Sequence, residues 1–231
     1  MTTIRIFSGG APKEVFNTLL PDFKRQTGHD VAFTFAVTKA VDDRLRAGET
    51  PDVLVLPTSV LDGYQKDGIA RAEGRAVFGV VSINVVVRKG APTPDISTTE
   101  KVKRMLLASR SIALAAPGLT PSGIHLAKIF ERLGLTEALK DKLVHRAALQ
   151  GGVELVANGE VELGLYPKSE VVTFDSLTVV GPLPPDIQLN TIYGAAVTTT
   201  TATPEAGAAF IAFMSAPDKR QVWTDGGFTA T

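Results

Sequence analysis

Three short turns carry residue types that bind anions without a formal cation. Gly9-Gly10-Ala11, Val37-Thr38-Lys39 and Thr120-Pro121-Ser122-Gly123 combine small, hydroxyl-bearing or basic residues, and helical patterns follow them. A helix start presents unpaired backbone N–H groups and the positive end of the helix dipole, so several starts converging on one place hold an anion. Each turn also has a plainer use. Gly9-Gly10 suits any strand-to-helix turn that needs backbone freedom, and Ser and Thr cap the first N–H groups of any helix. Lys39 follows a strand end, where it either meets a ligand carboxylate or stands in solvent like most surface lysines.

Proton chemistry has few candidates. His125 falls in the first turn of the helix opened by Ser122-Gly123, where the helix dipole favours the neutral imidazole. With a polyacid bound, His125, Lys39 or Tyr166 can move a proton at carbon; for His125 the alternative is packing on the far face of its helix. His29 precedes a strand and is expected in an exposed loop, and His145, between Val144 and Arg146, is expected at the surface. These histidines are far apart and form no ligand pair, so no metal site is expected. There is no phosphate loop, nucleophile elbow or dinucleotide fingerprint, and no cofactor is expected. With no cysteine, disulfides and thiolate chemistry are excluded.

The elements that position these turns alternate between strand and helix. Residues 3–7, 31–35 and 52–56 read as strands, separated by a helix carrying Val15, Phe16, Leu19, Leu20 and Phe23 and another from Val41 to Ala47, closed by Gly48. Residues 77–88 form a long β-rich run, followed by a strand at 112–115 and a helix from Ile124 to Leu133. A helix over 153–158, a strand over 163–166, an extended stretch over 179–185, a strand over 191–197 and a helix over 204–214 complete the pattern. The threonine run 198–201 reads as a loop. Such alternation gives an α/β fold of mostly parallel sheets flanked by helices, with ligands at the carboxyl ends of the strands, where all three turns fall.

Composition narrows the partners. A 231-residue chain with 24 basic and 24 acidic residues advertises neither nucleic acid nor a membrane surface. No apolar run approaches the roughly 20 residues of a transmembrane helix. The chain already alternates like a strand by Thr3-Ile4-Arg5-Ile6-Phe7, leaving no secretory signal, so as written it is expected to be cytoplasmic, or periplasmic if a leader has been removed. A monomer is expected.

Ile4-Arg5-Ile6-Phe7-Ser8-Gly9-Gly10, Phe33-Thr34-Phe35-Ala36-Val37-Thr38, Ala47-Gly48-Glu49-Thr50-Pro51-Asp52-Val53 and Thr120-Pro121-Ser122-Gly123 together resemble the type II periplasmic solute-binding protein fold, nearest to its molybdate-binding branch. The resemblance implies two α/β lobes, residues 1–80 plus 190–231 and residues 81–189, with a ligand cleft between them. It implies ligand contacts at Ser8, Gly9, Gly10, Ala11, Thr38, Lys39, Pro121, Ser122, Gly123 and Tyr166. Molybdate binders typically place serines in the first two turns, whereas this chain has Ala11 and Val37-Thr38-Lys39 there. Those departures, with a lysine facing the cleft, suit an organic carboxylate better than an oxyanion gripped by neutral donors. Two functions follow: a solute-binding protein that hands an anion to a membrane transporter, or an isomerase, tautomerase or sensor acting on an organic acid such as aconitate.

Overall fold

The computed structural model describes residues 1–146 and 152–230. Along the first part of the chain, β1 (Thr3–Ser8), α1 (Lys13–Thr27), β2 (Asp30–Phe35), α2 (Thr38–Arg46), β3 (Val53–Pro57) and α3 (Thr58–Lys66) alternate. Then come β4 (Ala76–Arg88), α4 (Thr99–Ala108), β5 (Ile112–Ala115), α5 (Pro121–Arg132), α6 (Thr136–Leu139) and β6 (Leu143–Arg146). α7 (Gly152–Asn158), β7 (Leu163–Pro167), a 3-10 turn at Lys168–Glu170, β8 (Leu177–Pro182) and β9 (Asn190–Val197) follow. α8 (Pro204–Met214) and α9 (Arg220–Asp225) complete the order. The chain divides into two compact units, Met1–Val81 with Thr191–Thr231, and Ser82–Asn190.

In the first unit, β1 pairs in parallel with β2 on one side and β3 on the other, and β9 runs antiparallel to β3. All of β3 is buried, as a central strand covered on both faces must be. Strand alternation sends Ile4, Ile6, Val53 and Val55 to one face, against Val15, Phe16, Leu19 and Phe23 of α1 and Phe210, Ile211 and Met214 of α8. Phe7, Leu54 and Leu56 go to the other, against Val41, Leu61 and Tyr64. α1 stops at Gly28, whose left-handed φ of 71° closes the helix onto the Lys24 carbonyl.

The second unit repeats the logic. β5 is parallel to β6 and β7, while β4 pairs antiparallel with β7 and β8. Ile83, Val85, Ile112, Leu114, Leu163 and Leu165 pack on one face with Val102, Leu106, Leu126 and Phe130. Val86, Ala113 and Tyr166 share the opposite face with Val153 and Val156 of α7.

Several boundaries differ from the pattern read in the sequence. α2 starts at Thr38 rather than Val41, because its first turn holds no buried apolar residue to announce it. α5 starts at Pro121 rather than Ile124, with proline in the first turn, where its missing N–H costs nothing. Residues 179–182 belong to a paired strand, β8, rather than to a free extended stretch. α3, α4, α6, β6 and α9 were not legible. α3 buries only Leu61 and Tyr64, and β6 has no fully buried residue. His29 is half-buried rather than exposed, its Nδ1 enclosed without a partner among the described residues, in the short turn between α1 and β2 where its N–H donates to Thr27 Oγ1. Among the described residues no helix is long and apolar enough to cross a membrane.

Phe16 anchors the first unit: it is fully buried and contacts the rings of Phe33, Phe78, Phe210 and Trp223. Phe16→Ala is expected to destabilise by about 3–5 kcal/mol, the range for buried aromatic truncations. Urea unfolding should show a lower midpoint with an unchanged slope.

Candidate functional site

Because β1, β2 and β3 are mutually parallel, the residues that follow them emerge on one edge of the first sheet. The Ser8–Ala11 turn and the Thr38 turn therefore share that edge. Ser8 is fully buried and its hydroxyl donates to the Gly9 carbonyl at 2.8 Å, so its hydrogen is already committed. The Gly9 N–H is likewise spent on the Val55 carbonyl at 2.9 Å. Among the described residues no acceptor meets the N–H groups of Gly10 or Ala11. α2 has no side-chain cap, leaving its first N–H groups and the Thr38 hydroxyl without a partner among the described residues.

Lys39 lies on the exposed side of α2, with Nζ 2.9 and 2.8 Å from the two carboxylate oxygens of Asp43. An exposed i,i+4 pair contributes only about 0.3–0.5 kcal/mol, so it does not pin the ammonium against a stronger partner.

Tyr193 was not singled out in the sequence. Its place opposite Pro57, in the antiparallel pairing of β9 with β3, brings it to the same edge. Its hydroxyl and ring edge lie 3.2 Å from where a Cβ on Gly9 would sit. Gly9 thus has a spatial reason to be glycine, the close approach of Tyr193, in addition to turn formation. Only the strand pairing reveals this; no local signal joins positions 9 and 193.

In the second unit, β5, β6 and β7 are parallel and again share a carboxyl edge. α5 begins there with Thr120 as its cap: Thr120 Oγ1 accepts from the Gly123 N–H at 3.0 Å and lies 3.1 Å from Ser122 Oγ. The capping use of Thr120-Pro121-Ser122-Gly123 is therefore realised, and it occupies one donor that a ligand would otherwise take. Gly123 presses on the end of β5, since a Cβ there would lie 2.5 Å from the Ala116 carbonyl oxygen.

Tyr166, near the end of β7, is 4 % exposed, and its hydroxyl has no hydrogen-bond partner among the described residues. Two glycines frame it. A Cβ on Gly164 would lie 2.8 Å from its ring, and one on Gly152, the first residue of α7, would collide with its hydroxyl. Ser169, in the turn that follows, is also 4 % exposed, and its hydroxyl has no partner among the described residues. Burial first, then the charges of Glu170 and Glu154, push the Tyr166 phenol well above its ordinary pKa, and Arg146 partly offsets them. Glu170, half-buried and without an ion pair or hydrogen bond among the described residues, is pushed up to about 7 by burial.

The proton candidates read from sequence fare differently. His125 Nε2 lies 2.9 Å from the Ile187 carbonyl oxygen. That oxygen only accepts, so Nε2 carries the hydrogen and His125 is tied to the segment before β9. Lys39 is paired and exposed, and Tyr166 holds its proton tightly. Glu170 and Ser169, which the sequence did not single out, follow Tyr166 in the turn after β7, and the Glu170 charge acts on its phenol. His145, in β6, is exposed, as expected. Two surface hollows, one lined by Arg71, Glu73 and Glu205 and one by Asp95, Lys101 and Arg104, include none of these residues.

Comparison with known proteins places the chain. It is 28% identical over 233 residues to an aconitate isomerase of a Pseudomonas species, covering 98% of this chain and 87% of that protein. It is 25% identical over 231 residues to the molybdate-binding protein ModA of Escherichia coli strain K12, covering 98% and 88%. The solved periplasmic molybdate-binding protein of Azotobacter vinelandii superposes with a TM-score of 0.80 at 17% identity over 99% of both chains. These likenesses establish the two-lobed type II periplasmic-binding fold in its molybdate-binding branch. The pattern describing bacterial extracellular solute-binding proteins matches residues 4–229, and the chain belongs to that family.

Proposed function

We propose that this solute-binding protein captures a small anion, an organic carboxylate or an oxyanion, at the turns that follow its parallel strands. The observation that carries the proposal is Tyr166: a nine-tenths buried hydroxyl with no acceptor among the described residues, held in a slot that two glycines keep open. An unpaired buried hydroxyl costs about 1–3 kcal/mol, a cost that an anion at this position would remove. The uncapped start of α2, the free Gly10 and Ala11 N–H groups and the Thr38 hydroxyl supply further neutral donors. Gly9, Pro121, Ser122 and Gly123 shape the turns, and Lys39 favours a carboxylate if its ammonium leaves Asp43. The family membership and the molybdate-binding relative support an anion, and a membrane transporter of the ABC class is the partner such a carrier would serve outside the cytoplasm.

Two substitutions separate ligand contact from packing. Tyr166→Phe is expected to weaken anion affinity by about 1.5–3 kcal/mol, the value of a hydrogen bond to a charged group. In the free protein it should leave stability unchanged or raise it, because an unpaired hydroxyl is removed. Lys39→Met is expected to weaken carboxylate affinity by a similar amount; unchanged affinity in calorimetry would place the ammonium in solvent. Before either, a panel of carboxylates and oxyanions should include one that raises the melting temperature and compacts the scattering profile. A panel without effect on both would remove the anion reading.

A second reading, an isomerase acting on an organic acid, is favoured by the Glu170 carboxyl beside Tyr166 and by the aconitate isomerase relative. A carboxyl pushed up to about 7 is suited to general acid–base work near neutral pH. Incubation with aconitate in deuterated water is expected to exchange a C–H only under this reading. Binding without exchange leaves the carrier.

A further inference from the structure

The turn after β7 gathers three groups that the protein itself leaves unmatched. The Tyr166 and Ser169 hydroxyls each hold one hydrogen, both residues are 4 % exposed, and neither hydroxyl has a partner among the described residues. Glu170, the next residue, is half-buried, with no hydrogen bond or ion pair among the described residues. Lys168, two residues earlier in the same turn, makes no ion pair with it. Around Tyr166 the charged groups are Glu170 itself, Glu154 of α7 and Arg146 at the end of β6. For Glu170 burial is the one resolved influence, and no cation among the described residues pairs with its carboxylate.

We propose that Glu170 couples anion capture to the uptake of one proton. The proposal rests on the reading that an anion seats at the Tyr166 hydroxyl. Two hydroxyl hydrogens without acceptors match an anion, whereas an ionised carboxylate beside them repels one. Protonated, Glu170 loses the repelling charge and becomes a further donor in the same turn. The anion and the proton then favour each other's binding by the same factor, as linkage requires. Glu170 thereby sets which ligands the site prefers: acids that keep a proton near neutral pH, or anions taken up together with one. Burial already raises the free carboxyl to about 7, which puts the transition within the working range of a cell or its surroundings.

The test is a carbon-13 carboxyl titration of the full chain labelled at glutamate, with Glu170→Gln used to assign the signal. It is run free and with aconitate, molybdate, sulfate or phosphate present, alongside melting temperatures in the same samples. The free midpoint is expected well above the ordinary glutamate range, moving further up with any anion that stabilises the protein. Above the free midpoint, wild-type affinity is expected to fall about tenfold per pH unit, the slope for one linked proton. In Glu170→Gln it should be flat. An ordinary free midpoint overturns the proposal, as does a midpoint unmoved by an anion that raises the melting temperature; in the latter case the anion reading stands. If none of the four anions stabilises the protein or moves the midpoint, both fall. The wild-type titration decides the matter even if the variant does not fold.

Discussion

Parallel pairing is the constraint on which the candidate site depends. When neighbouring strands run the same way, their carboxyl ends lie on one edge, and each must be followed by a connection that leaves from that edge. β1, β2 and β3 do this in the first unit, and β5, β6 and β7 in the second. Turns far apart in sequence, such as those at Ser8 and Thr38, are gathered on one edge by the strand pairing alone. The antiparallel β9 adds to the same principle, since its register with β3 sets Tyr193 opposite Pro57.

Buried polar groups elsewhere show how unusual the β7 turn is. Trp223 Nε1 donates to the Met214 carbonyl at 2.8 Å, the Thr198 hydroxyl to the Pro51 carbonyl at 2.6 Å and the Ser109 hydroxyl to the Met105 carbonyl at 2.8 Å. Each satisfies locally a group that would otherwise destabilise the core. Tyr166 and Ser169 receive no such partner among the described residues. Their neighbourhood is also where glycine replaces side chains, at Gly152 and Gly164, to keep the tyrosine in place. Polar groups left unmatched and held rigidly have the features of a site prepared for something outside the chain.

The electrostatics of such a site are local. Formal charge sums to zero, so net charge does not itself draw an anion in. Its donors would be backbone N–H groups and hydroxyls, with Lys39 at the exposed side of α2 in competition with Asp43. Neutral donors suit a ligand that must be released as well as bound, because their hydrogen bonds are each modest and their number sets the affinity.

The sequence by itself determined the alternation of strands and helices, the buried faces of β3 and α1, and the small-residue turns at 9–11 and 120–123. Period-2 and helical spacings are local, and resemblance in their order sufficed to name the fold. It gave weaker notice of elements with little buried surface, such as α3 and β6, because few apolar residues mark them. It also proposed His125 for proton chemistry from its place in a helix turn, although the Ile187 carbonyl holds that ring. Tertiary structure alone decided the rest: that Tyr193 leans on Gly9, that Tyr166 is buried without a partner, and that Glu170 sits beside it uncompensated. Burial and the absence of a partner depend on everything packed around a residue, and no spacing along the chain records them.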